Sequence, residues 1–440
     1  MKLTKYLAGF AAFAFAATSH ADVTVNVTGA TAFRAASLLS IKAQYVASGL
    51  PFKFAHDQAA GGTTFSGATR AIFIGTFPGV TGTTTIRCCF TGSVEGVRAL
   101  VLPSASDPSA PTYYQPSLLS GTTAITGGAE LASQATNTAA VLGAISDIAF
   151  SDVKKEITPF ASAAMGPADP AAGVIVFTML TNKGSSLTNV TSQQFRALLT
   201  NGHQPRSLFT GIATDTDLVF ATGRNDGSGT RTVYLAESGY GVTNQVNQYV
   251  TNATSGTTIT QIQRVPAGGV NSPSLPGQSA ANASTVWGQD VNGNGGYSSG
   301  STLRGDMART TASVTVLDAA GSAIYTNIPL SLVTWLSLND AVTARGAGNA
   351  VLCAYNGVKL DGIAASGTVM TATDKAKITN GLYTAWSYEE MYLRGDVTDG
   401  DKQTVYDTIK SGIPTNLGAA GIALSDMAVG RGDDGGTVAP

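Results

Sequence analysis

Charge is scarce in this chain. Of 440 residues, 12% are Asp, Glu, Lys or Arg, against roughly 25% in ordinary soluble domains. Neither sign dominates, with 26 basic and 28 acidic side chains, so neutralising a nucleic-acid backbone is not its task. Histidine is nearly absent: His20, His56 and His203 have no metal-ligand spacing, and His56 and His203 fall in polar stretches expected to be solvated. That leaves little for a histidine-rich metal centre or a Ser-His triad, and no Gly-x-Ser-x-Gly elbow occurs. No catalytic residue, metal or cofactor is therefore assigned. Beyond the N-terminus no run of 18 apolar residues appears, which excludes a conventional spanning helix. What remains is apolar and small: 43% hydrophobic residues and 51 glycines, too apolar a mixture for general disorder.

Lys2 and Lys5, the apolar run Leu7 to Ala17 and Ser19-His20-Ala21 read as a secretory leader cleaved after Ala21. No cysteine follows the cleavage point, so the expected product is not a lipoprotein. It is exported, most simply to a bacterial periplasm. Cys88, Cys89 and Cys353 leave two readings open: a bridge from one of the vicinal pair to Cys353, or three buried thiols.

Short apolar strands alternate with helical stretches, which predicts an α/β class with mainly parallel sheets flanked by helices. Val23–Val27 alternates as a strand before a helix from Ala32. Gly173–Leu180 is a nearly continuous apolar run, as in a strand buried on both faces. Thr191-Ser-Gln-Gln194 is a capping box for the next helix. Residues 50–84, 103–145 and 251–310 are rich in Gly, Ser, Thr and Asn and read as elaborations between core elements. Trp335, Trp386, Tyr388 and Tyr392 read as core packing. Arg-Gly-Asp occurs at 304–306, 394–396 and 431–433 and reads as turns. Asp290-Val-Asn-Gly-Asn-Gly295 matches half of a calcium loop, but Ser301 stands where the loop needs glutamate, so it is set aside.

Four loops share one chemistry: Thr28-Gly-Ala-Thr-Ala-Phe33, Thr91-Gly-Ser-Val-Glu-Gly96, Phe150-Ser-Asp152 and Gly223-Arg-Asn-Asp-Gly-Ser-Gly-Thr230. Each puts hydroxyls, and three of them glycine backbone, where a strand hands over to a helix. A helix start carries free N–H groups and the positive end of the macrodipole, which suits an anion. Arg224 adds a charged fork. Several such donors can replace the water shell of a tetrahedral oxyanion.

These residues resemble the periplasmic phosphate-binding protein of the phosphate ABC transporter, within the type II periplasmic-binding superfamily. Arg224-Asn-Asp-Gly-Ser-Gly-Thr230 is similar to that family's R-x-D-G-S-G-T, and Ile148-Ala-Phe-Ser-Asp152 to its strand followed by S-D. Thr91-Gly-Ser93 with Gly96-Val97 looks like its second-helix loop. Thr28-Gly-Ala-Thr-Ala-Phe33 looks like T-G-A-G-[SA]-T-F, one residue shorter, which leaves open whether Thr31 or Ala32 faces the ligand. Val333 to Asn356-Gly-Val and Asn380-Gly-Leu-Tyr to Tyr392 are similar to its return-strand landmarks.

The resemblance implies a phosphate site of Thr31, Ala32, Phe33, Ser93, Asp152, Arg224, Asp226, Ser228, Gly229 and Thr230. Asp226 would brace Arg224. Asp152 would accept the proton that phosphate keeps near neutral pH and sulfate does not. It further implies a monomeric two-lobed binding protein, with lobe one at 22–172 plus 332–440, lobe two at 173–331, and crossings near Gly173 and Ser331. Its partners would be inorganic phosphate or a similar oxyanion and an ABC permease. The alternative is an exported envelope or surface interaction protein that keeps the fold without coupling to transport.

Overall fold

The computed structural model describes residues 22–58, 64–101, 110–131, 140–265, 295–348, 350–362, 370–418 and 421–440. The expected leader at 1–21 and positions 290–294 of the calcium-like stretch lie outside the described residues. In chain order the frame consists of β1 (Val23–Gly29), α1 (Arg34–Ala47), β2 (Phe52–His56), β3 (Arg70–Gly75), β4 (Thr84–Cys89), α2 (Ser93–Val101), β5 (Ile148–Ser151), β6 (Ala171–Thr181), α3 (Ser192–Asn201), β7 (His203–Pro205), β8 (Leu218–Ala221), α4 (Gly229–Glu237), α5 (Gly300–Met307), β9 (Leu330–Ser337), α6 (Leu338–Gly348), β10 (Trp386–Arg394) and α7 (Gly400–Asn416).

Valine at every second position makes β1 a strand, and Val23, Val25 and Val27 are all buried. It pairs in parallel with β4 on one side and β5 on the other. Among the described residues the sheet has 14 strands, running β7-β8-β9-β6-β10-β5-β1-β4-β3-β2 with Ala129–Glu130 at its edge. The expected α/β class forms, yet the sheet is mixed rather than mainly parallel. β2, β3 and β4 follow one another back and forth as antiparallel neighbours. β10 runs between β5 and β6, antiparallel to both.

β6 joins two cores. Its first half, to Val176, pairs with β10, and its second half, Phe177–Thr181, pairs with β9. The unbroken apolar run matches this position, since all but its first residue are buried. One core gathers Val25, Leu38, Ile41, Phe73, Ile148 and Ile409. The other gathers Met179, Phe195, Phe220, Tyr234, Trp335 and Trp386. Leu352, Tyr355, Ile378 and Tyr383 also pack in the second core.

Two stretches expected as elaborations are built into the cores. Residues 50–84 supply β2 and β3, whose Phe54 and Phe73 rings stack 5.7 Å apart, with Tyr45 stacked 5.3 Å from Phe52. In 251–310, Thr258–Arg264 pairs with Tyr249–Ser255, and Ile259, Ile262, Tyr297, Leu303 and Met307 are all buried. Ile259 and Ile262 stand three residues apart, and the pairing with Tyr249–Ser255 shifts register between them. Small polar neighbours had hidden this burial.

Further local expectations change. His56 is buried, 2.9 Å from Glu130 Oε1, and His203 stacks on Phe220 with its Nε2 3.1 Å from the Tyr325 hydroxyl. His56 is thus buried and His203 half-buried, each ring lying against an aromatic neighbour. Arg304-Gly-Asp306 lies inside α5 rather than in a turn, with Arg304 paired to Asp340 and Asp306 to Arg309. Arg431 is buried against Glu237 and over the Trp386 ring.

All three cysteines are free and buried. Cys88 belongs to the first core and Cys353 to the second, where its Sγ donates to the Leu187 carbonyl. Burial pushes all three thiols up, so little thiolate forms at neutral pH. A thiol-reactive chromogenic reagent should label none in the folded protein. All three should react after denaturation without reductant, and a yield of one would establish a bridge.

Candidate functional site

The carboxyl ends of β1, β4 and β5 are tied into one point. Thr28 Oγ1 donates to the Cys89 carbonyl at 2.8 Å and lies 3.4 Å from Thr91 Oγ1. The Gly92 N–H donates to the Gly29 carbonyl at 3.0 Å, and the Ala30 N–H to the Phe150 carbonyl at 2.8 Å. Gly29 has φ +116°, and any side chain there would strike the Phe150 backbone. Open α/β sheets present ligands at this edge, where successive helix starts converge.

The first three expected loops therefore meet, and the fourth arrives from the second core. The Glu95 N–H, in the first turn of α2, donates to the Gly227 carbonyl at 3.3 Å. Gly229, first residue of α4, lies so close that a β-carbon there would sit 2.6 Å from Ser93 Cβ and 2.8 Å from Asp152 Cβ. Ser93, Asp152, Arg224, Ser228 and Thr230 are each buried. The Ser228 hydroxyl accepts from the Arg231 N–H and caps α4, so it serves the helix start itself. Arg224 Nε donates to the Tyr297 carbonyl at 2.9 Å and Nη2 to the Ser298 carbonyl at 2.8 Å. Those carbonyls come from the end of the 251–310 stretch and offer acceptors without adding a second negative charge.

The electrostatics centre on Asp152. Burial pushes its carboxyl up, while Glu389, Ser93 and Arg224 each pull it partway back. Burial lowers Arg224 to about 10, opposed by Asp340 and Asp152. Glu389, on β10, is wholly buried and raised well above the usual carboxyl range by burial and by Asp152. Ser93 Oγ, Asp152 Oδ1 and both Glu389 oxygens have no hydrogen-bond partner of normal geometry among the described residues. Buried polar atoms are rarely left so. Here several of them lie around one point.

Thr31, Ala32 and Phe33 lead into α1, whose N-cap is Phe33 without a side-chain cap. The Phe33 ring lies 6.0 Å from Phe150 and packs in the first core. All three residues line a cavity of about 340 Å³, together with Arg34, Arg304 and Ser337 to Asp340. Arg34 is 6% exposed and its Nε donates to the Ser66 carbonyl at 2.7 Å. Burial lowers Arg34, with Asp340 raising it again and Arg304 lowering it further.

Arg34, Arg304, Asp340 and Glu389 were not among the expected site residues. For Glu389 a signal existed: adjacent glutamates inside the apolar run Trp386-Ser-Tyr-Glu-Glu-Met-Tyr-Leu393 point to opposite faces of a strand, so one must enter the protein. For the others, no local pattern separates them from surface charges.

A large mixed sheet flanked by helices, two cores and a long strand shared between them define the class as mixed α/β. Solved structures similar to it include phosphate-binding proteins. An ABC-type phosphate transport receptor from Vibrio cholerae is 10% identical, with 91% of this chain and 99% of that one covered, at a TM-score of 0.42. PstS from Borrelia burgdorferi is 10% identical over 91% and 98%, at 0.34. A phosphate-binding protein from Stenotrophomonas maltophilia is 12% identical over 92% and 88%, at 0.36. No family model and no curated protein matches the chain. Among the described residues no helix is long and apolar enough to cross a membrane.

Proposed function

We propose that this protein is exported and binds a protonated tetrahedral oxyanion, inorganic phosphate foremost, between its two lobes for delivery to an ABC permease. It acts as a monomer and performs no chemistry on its ligand. The observation that carries the reading is the meeting of Ser93, Asp152 and Gly229 at one buried point, with Arg224 electrostatically coupled to Asp152. Backbone N–H groups at the starts of α1, α2 and α4 supply neutral donors, Ser93 and Thr230 supply hydroxyls, and Arg224 supplies charge. A carboxylate facing an anion repels it unless the anion brings a proton to share. Asp152 therefore selects phosphate over sulfate, whose binding would leave two acceptors opposed.

Calorimetry on the exported protein at pH 7 tests this reading. Phosphate is expected to bind, and sulfate to bind weaker by roughly 100-fold, the cost of one charged hydrogen bond lost and one acceptor left unpaired. Equal affinities, a sulfate preference or no phosphate binding would overturn it.

A further inference from the structure

Beside the oxyanion residues lies more room than inorganic phosphate needs. The ion displaces two or three waters, on the order of 60–90 Å³, whereas the cavity next to Thr31 to Phe33 is about 340 Å³. That size falls in the range of pockets for small organic ligands, roughly 300–1,000 Å³.

Its walls differ in character. Leu39, Val174, Val176, Leu338 and Leu417 make an apolar side. Two arginines from different elements, α1 and α5, also line the cavity. Arg34 comes from the start of α1 and is nine-tenths buried. Among the described residues neither of its Nη atoms has a hydrogen-bond partner, only Nε being engaged. Arg304 from α5 is held by Asp340 at 2.8 Å, and Asp340 also accepts from the Ser337 hydroxyl at 3.3 Å. Asp340 is thus charge-compensated, and with Asn339 and Ser337 it offers acceptors that suit alcohol groups.

A buried guanidinium with open donors is costly unless an anion or an acceptor meets it. The polar residues around the rest of the cavity are neutral or paired. We propose that this cavity makes the protein a receptor for phosphate monoesters of small alcohols, with the phosphoryl end at Thr31 to Phe33 and Arg34 and the alcohol part against the Leu39 and Leu338 wall. This rests on the oxyanion reading above and narrows it: inorganic phosphate is then the minimal ligand, not the preferred one.

The test uses inorganic phosphate and glycerol 3-phosphate as calorimetric probes on the exported protein and on two variants. The ester is expected to bind at least tenfold tighter than phosphate. Leu39→Trp fills the half-buried wall and should erase that gap while phosphate affinity stays. Arg34→Gln should weaken the ester more than tenfold, with the melting curve of each variant verifying its fold. Phosphate binding with an equal or weaker ester overturns this inference and leaves the phosphate reading standing. An ester preference that persists in Leu39→Trp also overturns it, because the alcohol part then lies elsewhere. Failure of both probes to bind overturns both proposals together.

Discussion

Gly229→Ala is expected to weaken phosphate binding at least about 100-fold, or about 2.7 kcal/mol, while the protein folds and melts like its parent. The backbone at Gly229 has an ordinary φ, so glycine is not there for conformational freedom. It is there for space. A methyl group at this position would lie 2.6 Å from Ser93 Cβ and 2.8 Å from Asp152 Cβ, and nearer still to Ser93 Oγ. None of these atoms is the free end of a flexible chain: Ser93 opens α2, and Asp152 follows β5, with its carbonyl accepting from the Ser387 hydroxyl at 2.6 Å. The start of α4 must therefore retreat, and the helix start and Arg224 move off the point they share with α2.

Only the contact between lobes is hit, because each core keeps its own residues. Calorimetry gives the affinity, and small-angle scattering with saturating phosphate shows whether the variant still contracts. An affinity within threefold of the parent would remove Gly229 from the site.

What could be read from the chain and what could not follow one physical distinction. Features set by neighbours along the chain were legible. The capping box at Thr191 forms with both of its hydrogen bonds, β6 is buried as its apolar run required, and the four hydroxyl-rich loops could be picked out by the chemistry of helix starts. Pairings between distant segments were not legible. Arg224 takes acceptors from the carbonyls of Tyr297 and Ser298, more than seventy residues on. Arg34 and Asp340 come into electrostatic range although they stand more than three hundred residues apart in the chain. The mixed sheet escaped for a similar reason: strand direction depends on which strand lies alongside, and β10, far along the chain, lies between β5 and β6.

The second large effect concerns Glu389. Its folded pKa is raised well above the ordinary 4.5 by burial first and by Asp152 second. A carboxyl whose folded pKa exceeds its unfolded one favours the fold fully below the unfolded value, and that contribution is lost as pH rises through the folded value. The parent protein should thus lose stability steadily from pH 5 to pH 9. Asp152, raised in the same direction, adds to the slope, as do Glu390, raised to about 7, and Asp434, raised to about 6.

Glu389→Gln removes one titrating group and keeps an N–H that can donate to Asp152. The variant should match the parent near pH 5, melt several degrees higher at pH 8 to 9, and still bind phosphate. Glu389→Leu behaves differently: it removes the polar neighbour that pulls Asp152 back toward its ordinary range. Asp152 then keeps its own proton to higher pH and stops accepting one from phosphate, so affinity at pH 7 should fall at least about tenfold and recover as pH rises. Melting curves at fixed pH steps and calorimetry at pH 7 and 8.5 read both effects. If Glu389→Gln loses stability with pH in parallel with the parent, Glu389 carries no retained proton, and the acceptor role of Asp152 must be explained without it.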